Sequence, residues 1–393
     1  MISLAGYQAE MRRIEEDIAS IGSADPLAMP TDPERVTLYV YRLYQRAAIA
    51  GDSAQLSAVE RAINRAIPLL ANPSDLYLLK ANTAFKLHKL SDVEAALRAV
   101  PSVYDSNEGR LIRADLDFQH GRYREAKRGY LGVLQAERSW GALARLAYFY
   151  GKRGDVAGAD HLYEEAEDQL TAKAMRSYAW LEVQRGFLAF AHGRYGEARL
   201  HYGQADAAYP GYWLVDEHVA ELLGAEGHYG QAIEILERII STRDRPDLLQ
   251  AIGELYAIAG QAERARDCHE KALDGYLQSA HRGEVLYYHH LADYYADVAK
   301  DGAQAVTWAR ADLQLRENYS TQAALAWAFY RGRQFGEACN WIDRALASGA
   351  VEAHLFFRTG MIYTCANSID DGRNYMERAT RLNPSVEKFH LHH

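Results

Sequence analysis

The sequence has few of the residues that cross-link a chain or interrupt helices. Its 393 residues include three cysteines and nine prolines. Cys268, Cys339 and Cys365 form an odd set without the spacing of metal ligands, which argues against a disulfide framework and a cysteine-based metal site. Runs with the alternating hydrophobicity of strands are also absent. Because both proline and strand patterns are scarce, we expect helices throughout the chain.

The chain also lacks a long apolar run and an excess of basic residues. No segment approaches the roughly 18 to 20 apolar residues of a membrane span. Glu10, Arg12 and Arg13 interrupt the apolar core that a secretory signal would need, so we expect a cytoplasmic protein. The net charge is −9 and the isoelectric point is near 5.9. Nucleic acid is therefore not the expected partner, since binding it requires a basic face.

A six-residue pattern, G-x-[YVHA]-x-x-A, recurs along the chain. Its last residue falls at these positions, the final two in looser form: Ala126, Ala159, Ala198, Ala232, Ala265, Ala305 and Ala338. Successive copies are 33, 39, 34, 33, 40 and 33 residues apart. In the clearest copy, residues 179–212, small Gly186 and Ala198 alternate with large side chains such as Tyr202. Each copy predicts two helices that are joined by a tight turn and approach each other closely at the small residues.

A period near 34 residues with this arrangement of small and large side chains resembles the tetratricopeptide repeat, a helix–turn–helix unit. The resemblance covers residues 74–385, clearly in 107–385 and more loosely in 74–105, and a further helix pair is expected at 34–72. One such pair cannot bury its apolar face alone, so neighbouring pairs must stack. We therefore expect an all-α protein, a right-handed α-solenoid of roughly nine to ten antiparallel helix pairs.

Residues 1–22 are predicted to form an amphipathic helix, because their apolar residues recur at alternating spacings of three and four. Three roles are open for it: a cap on the first repeat, self-association, or occupation of the protein's own groove. Residues 23–33 contain three prolines and are expected to be a linker.

Two connectors and the C-terminal end depart from the repeat. The long steps predict extra turns at Leu170–Arg176 and Ser279–Gly283. The tail, residues 386–393, is too short for a full capping helix. We therefore expect the last pair to expose apolar side chains such as Leu382 and Phe389.

In tetratricopeptide proteins the first helix of each pair lines a concave groove, so the resemblance implies which positions face a partner. The Lys, Asn and Arg set with which some members bind an acidic C-terminal peptide is missing there. Carboxylate, amide and imidazole groups cluster instead, with aromatic residues beside them. The candidate site consists of Tyr148, Phe187, Glu217, Glu221, Gln250, Glu254, His289, Asp293 and Trp327. Such a groove suits a basic, partly apolar peptide, and a merely solvated acidic surface is the alternative.

Motifs for chemistry are weak. His289 and Asp293 share a helix face, but the dense spacing of a metal-binding helix is missing, and the glycine turns lack the ending of a phosphate loop. No nucleophile–base arrangement has the context it needs, so we expect no catalysis, cofactor or metal. The leading hypothesis is a protein–protein interaction scaffold with an open acidic groove and no deep enclosed pocket. The alternative is a structural protein that oligomerises through its N-terminal helix or its end repeats. A sensor of a small molecule or signalling peptide is a third hypothesis, against which the missing output domain counts.

Overall fold

The computed structural model of the chain describes residues 6–21 and 32–391. The helices of its first half are α1 (Tyr7–Ile21), α2 (Pro33–Ala50), α3 (Ser53–Ala66), α4 (Ser74–Lys86), α5 (Leu90–Arg98), α6 (Pro101–Tyr104), α7 (Asn107–Gln119), α8 (Tyr123–Ala136), α9 (Trp140–Lys152), α10 (Val156–Asp168), α11 (Met175–Ala191) and α12 (Tyr195–Ala208). Those of the second half are α13 (Trp213–Ala225), α14 (Tyr229–Ile240), α15 (Pro246–Ile258), α16 (Ala262–His281), α17 (Tyr288–Asp293), α18 (Gly302–Leu315), α19 (Tyr319–Arg331), α20 (Phe335–Ala347), α21 (Ala353–Cys365) and α22 (Ile369–Leu382). A 3₁₀ turn (Ile67–Leu69) follows α3, and a π-helix (Tyr294–Val298) follows α17. No strand occurs in these two ranges, so the predicted all-α class is confirmed.

Apart from α1 and the short α6, the helices form ten stacked pairs, as the repeat predicted. Pairs 1 and 2 are α2/α3 and α4/α5, and pairs 3 to 10 run consecutively from α7/α8 to α21/α22. The tetratricopeptide-type architecture is thus present in the chain itself.

The turn inside a pair has a residue with positive φ, five positions before the small residue of the repeated pattern. The residues at this position, with φ between 56° and 89°, are His88, Gly121, Gly154, Gly193, Gly227, Gly260, Lys300, Arg333 and Asn367. Glycine adopts this left-handed conformation without steric cost, which explains its recurrence in the pattern. The same conformation at the non-glycine positions fixes the frame of the degenerate copies, including the copy that ends at Ala305.

Small residues lie where helices approach most closely, as expected. Ala198 is fully buried in α12, and Gly186 of α11 faces the ring of Tyr202. A β-carbon placed on Gly186 would lie 2.3 Å from Cε1 of that ring, so any larger residue is excluded without a shift.

Some predicted boundaries differ from the structure by a few residues. The extra turns expected at Leu170–Arg176 and Ser279–Gly283 overlap helix ends, because α11 begins at Met175 and α16 ends at His281. Pro33 starts α2, where Asp32 caps the first turn, whereas most of the predicted linker lies outside the described residues. In the eighth pair, small Ala292 lies thirteen positions before Ala305 instead of the usual twelve. The π-helix Tyr294–Val298 accommodates this additional residue within the helix.

The chain coils so tightly that pairs five positions apart meet. The turn inside each pair contacts the loop that follows the pair five positions later; the turn of pair 4, for example, contacts the loop after pair 9. We call the line of these contacts the joint. Pairs 1 to 5 form a first layer (residues 33–208), and pairs 6 to 10 form a second layer (residues 213–382). Hydrogen bonds across the joint include Asn318 Nδ2 to Gln119 Oε1 at 2.9 Å, Val351 N to Lys152 O at 3.0 Å, and Asn383 Nδ2 to Phe190 O at 3.3 Å.

Helix α1 packs against α2 and also reaches the boundary between the layers. Tyr7 N donates to Pro210 O at 3.1 Å, and Tyr209 OH donates to Glu10 at 2.6 Å. Tyr7 and Ile14 are buried in a cluster with side chains of α11 to α13. The helix therefore contacts its neighbour, as a cap would, and at the same time fills a space between distant repeats.

The C-terminal segment is not exposed in the manner that the sequence suggested. Phe389 is buried against Gly224 of α13, and Leu391 N donates to Glu221 at 2.8 Å. Leu382 is half-buried. The prediction of a bare apolar end was wrong at Phe389, because the tail folds back onto the start of the second layer.

Candidate functional site

The coil encloses a central space, here called the lumen, which is lined mainly by the first helices of the pairs. Where the joint closes it, the lumen divides into two adjoining cavities of about 340 and 490 Å³ that share His390 in their walls. We call them the aromatic cavity and the carboxylate cavity. Both cavities remain partly open to solvent, so the described residues form two recesses where an open groove without a deep enclosed pocket was predicted.

The aromatic cavity contains two of the predicted residues, Tyr148 and Phe187. Its aromatic wall consists of Phe118, Tyr148, Tyr163, Phe187, Phe190 and Tyr319. Amide and hydroxyl groups interrupt this wall at Gln119, Gln184, Ser320 and Asn383. Tyr148 is 42% exposed although protein surrounds it, because its ring faces the lumen. Apolar walls with a few placed polar groups are typical of ligand sites.

Lys152 and Glu352 close one side of the aromatic cavity. The ammonium of Lys152 donates to the Glu352 carboxylate across the joint and lies 5.4 Å from the Tyr148 ring centroid. Burial by itself lowers the pKa of Lys152, but attraction to Glu352 and Tyr148 outweighs burial, so the pKa is raised above its ordinary value. Lys152 therefore stays charged and compensates Glu352, which leaves the cavity without a free charge from this pair.

The carboxylate cavity contains four of the predicted residues: Gln250, Glu254, His289 and Asp293. Gln250 donates to Glu254 at 2.9 Å, and Arg358 forms a long contact of 3.5 Å with Asp293. Burial raises the pKa of Glu254 to about 7, with the neighbouring Asp297 and Asp293 adding to the rise. Burial likewise raises the pKa of Asp293 to about 6, although Arg358 opposes it. Both carboxyl groups would gain stability from a cationic ligand.

A third acid in this cavity is already neutralised. Asp247 forms an ion pair with Arg245 at 2.6 Å, and this attraction outweighs burial and lowers the pKa of Asp247 to about 2. Glu254 has no basic partner among the residues that the structure describes. A cation entering this cavity would therefore meet Glu254 and Asp293 rather than the paired Asp247.

Imidazole groups from both layers meet in the same cavity. The rings of His88 and His289 are 5.8 Å apart, and those of His289 and His290 are 4.0 Å apart. Burial, followed by repulsion from Arg316 and His290, lowers the pKa of His88 to about 3. Burial also lowers the pKa of His289 well below its ordinary value. These two rings are neutral near pH 7, so they add polarity to the cavity without adding charge.

Glu217 and Glu221 do not line either cavity. Glu217 is buried beside Arg245 at 3.2 Å, and Glu221 is fully buried, where it accepts the backbone N–H of Leu391. Both were predicted to face a partner. Their carboxylates hold the chain's own arginine and tail instead, because the tail and the loop after α14 lie over the helix face that carries them.

Trp327 is also used within the protein. It is largely buried, stacks on Tyr330 with ring centroids 4.7 Å apart, and donates to Asp297 at 2.9 Å. It therefore supports the wall behind Asp293 rather than presenting its ring to the lumen.

Sequence reasoning missed the contribution of the first layer to the carboxylate cavity. Lys86 and His88 enter it from the turn of pair 2, some 200 residues before His289. Burial and repulsion from Arg176 lower the pKa of Lys86. The positive φ of His88 is the local feature that aims this turn at the lumen, but no pattern within a single repeat signals the contact.

Two other kinds of feature are missing from the described ranges. No group of three His, Cys, Asp or Glu side chains in residues 6–21 and 32–391 is arranged to hold a metal ion. Within the same ranges, no helix has the length and apolar character needed to cross a membrane.

Comparison with known proteins gives only weak similarities. No family model matches the sequence, and no curated protein matches it either. Among solved structures, the APC/C hetero-tetramer Cut9–Hcn1 is similar at 13% identity over 96% of this chain and 80% of that chain, with a TM-score of 0.46. A tetratricopeptide repeat protein from Parabacteroides merdae is 14% identical over 63% of this chain and 96% of its own (TM-score 0.38). MamA is 22% identical over 42% of this chain and 96% of its own (TM-score 0.34). At these values the function of those proteins is not transferred to this chain.

Proposed function

We propose that this protein is a non-catalytic, cytoplasmic binding scaffold whose lumen holds a basic, partly apolar segment of a partner protein. The observation that carries the proposal is the adjacency of two chemically different cavities. One presents aromatic rings around Tyr148 and Phe187, and the other presents Glu254 and Asp293. A segment with an apolar side chain beside a Lys or Arg would satisfy both at once.

The electrostatics of the carboxylate cavity support a cationic occupant. Glu254 is bonded to neutral Gln250, and its pKa near 7 reflects the cost of burying an uncompensated charge. A ligand cation would favour the ionised carboxylate and lower this pKa. Binding should therefore strengthen between pH 6 and pH 8, as Glu254 becomes easier to ionise, and it should weaken with added salt.

The experiment measures fluorescence anisotropy of a labelled peptide of alternating Lys and Leu, with an alternating Glu and Leu peptide as the comparison. Glu254→Gln with Asp293→Asn should weaken binding of the Lys peptide by roughly tenfold or more, and Phe187→Ala should weaken it independently. A matched control, Glu263→Gln with Asp267→Asn, removes two exposed acids from α16, which does not contribute to the lumen walls.

Three results would contradict the proposal. They are equal binding of both peptides, an equal loss in the control variant, and affinity that does not change between pH 6 and pH 8. Circular dichroism on each variant separates a lost contact from a lost fold.

A further inference from the structure

A third cavity lies at the joint, on the side opposite the aromatic cavity. Residues of α9 and of the turn after it divide between the two sides: Tyr148 and Lys152 face the lumen, whereas Tyr150 and Arg153 line the other cavity. It has a volume of about 830 Å³ and is bounded by α8, the end of α9, the start of α19 and the end of α20. We call it the interlayer cleft.

The cleft is basic, although the chain as a whole has a net charge of −9. Five of its lining residues are basic: Arg122, Arg124, Lys127, Arg153 and Arg344. Three are acidic: Glu125, Asp155 and Glu317. Burial lowers the pKa of His120, the remaining titratable imidazole in the wall, so it adds no charge near pH 7.

Most of the acids in the cleft are engaged elsewhere. Glu125 pairs with Arg128 at 3.0 Å, outside the cleft, and Asp155 caps α10 by accepting from Gly158 N at 3.0 Å. Only Glu317 remains as a carboxylate without such a role. Arg122 is paired with Asp117 at 2.7 Å, so the excess of basic residues over acids in the cleft comes from Arg124, Lys127, Arg153 and Arg344.

Three of the cations have no carboxylate partner in the described part of the chain. Arg124 is exposed on α8, Lys127 lies over the Tyr150 ring at 4.8 Å, and Arg344 lies over the Trp341 ring at 4.4 Å. These aromatic contacts hold two of the side chains in place without neutralising them. Arg153, beside them, donates only to the backbone oxygen of Ser348.

We propose that the interlayer cleft binds an acidic segment of a partner protein, whose carboxylates contact Arg124, Lys127 and Arg344. Arg124 and Lys127 belong to the first layer and Arg344 to the second, so the segment bridges the joint. A peptide is the occupant because the cleft is a basic region of limited size on a chain with a net charge of −9. A nucleic acid would need a continuous basic face and would be repelled beyond the cleft. This inference does not rest on the function proposed for the lumen.

The test uses fluorescence anisotropy of a short labelled peptide of alternating Glu and Ser on the full chain at low salt. Arg124→Glu, Lys127→Glu and Arg344→Glu together should weaken binding by roughly tenfold or more. The control variant, Arg61→Glu with Arg266→Glu and Lys271→Glu, makes the same change in net charge at exposed positions outside the cleft. It should change the affinity by no more than about twofold.

Carbodiimide cross-linking gives the location independently. A Glu side chain of the bound peptide should form an amide with the Lys127 amine, found by mass spectrometry of the digested product. If the reversed variant fails to fold, the neutral variant Arg124→Gln, Lys127→Gln and Arg344→Gln replaces it, with a smaller loss expected.

Four results would overturn the inference. They are no binding of the Glu peptide, an equal loss in the control variant, cross-links that avoid Lys127, and tighter binding of a thymidine oligonucleotide than of the peptide. Binding of the Lys and Leu peptide in the lumen should be unaffected by the cleft variant, which keeps the two proposals separable.

Discussion

Lys152 and Glu352 are 200 residues apart in the chain, and they form an ion pair across the joint. Next to this pair, the backbone N–H of Val351 donates to the carbonyl of Lys152. Both side chains are mostly buried, so the pair is protected from solvent screening. The contact fastens pair 4 of the first layer to the loop between pairs 9 and 10.

Replacing Lys152 by Met should lower the free energy of unfolding by about 2 kcal/mol, because Glu352 then remains buried without its partner. Adding Glu352→Gln should recover part of the loss, since the uncompensated charge is removed. Chemical unfolding followed by circular dichroism measures both. A single variant as stable as the wild type would mean that the ion pair does not fasten the joint.

Gly186→Ala should destabilise the protein by about 1–3 kcal/mol, although alanine is the better helix former, because its β-carbon would overlap the buried Tyr202 ring. Gly196→Ala is the matched control in the neighbouring helix α12, where no atom lies within 4 Å of the added carbon. The control should gain roughly 0.5–1 kcal/mol. Thermal unfolding compares the two, and a shift of the same sign in both variants would contradict the packing described for this pair.

Ala198→Leu tests the same contact from the other helix. Ala198 is fully buried, so the larger side chain should cost about 1–3 kcal/mol. A change near zero would mean that the repeat frame is wrong at this position.

Glu254→Gln should stabilise the protein at pH 8 and have little effect at pH 4. The pKa of Glu254 rises from 4.5 to about 7 on folding, so the folded state binds more protons than the unfolded state between these values. Stability contributed by this group is therefore lost as pH rises through that window. Glutamine removes the penalty, which we expect to be about 1–3 kcal/mol at pH 8. Unfolding midpoints measured from pH 4 to pH 8 give the difference, and a gap that stays constant with pH would contradict it.

Deleting residues 1–33 should lower the unfolding temperature without changing the oligomeric state. The apolar side chains Tyr7 and Ile14 of α1 are buried within the chain, so this stripe is not exposed for self-association. Light scattering on the full chain and the truncated chain measures the mass of each. A full-length oligomer that becomes a monomer on truncation would instead favour the structural, self-assembling role.

The repeated pattern predicted the pairs well because it is local. The left-handed residue five positions before each small residue explains both the conserved spacing and its exceptions at His88, Lys300 and Arg333. The copies that end at Ala305 and Ala338 fit the pattern only loosely because Lys300 and Arg333 stand in place of glycine, but the turn geometry is the same.

The candidate site was predictable only in part. Gln250, Glu254, His289 and Asp293 were placed on one wall because they share a face of consecutive first helices. The sequence could not predict that Glu217 and Glu221 are buried. Their partners Arg245 and Leu391 lie beside them only because the whole chain coils. The joint pairs residues almost two hundred positions apart, and no periodicity of one repeat encodes such a contact.

The joint also sets an order on folding. Each helix pair can form from neighbouring residues, but Lys152 meets Val351 and Glu352 only after the second layer exists. During synthesis at roughly 5–20 residues per second, the second layer is completed on the order of ten seconds or more after the first layer. Contacts between residues so far apart in the chain form slowly, because the entropy of closing a long loop is lost before the contacts stabilise the fold. The chain should therefore refold in two stages, with fast formation of helix pairs followed by a slow closure of the coil.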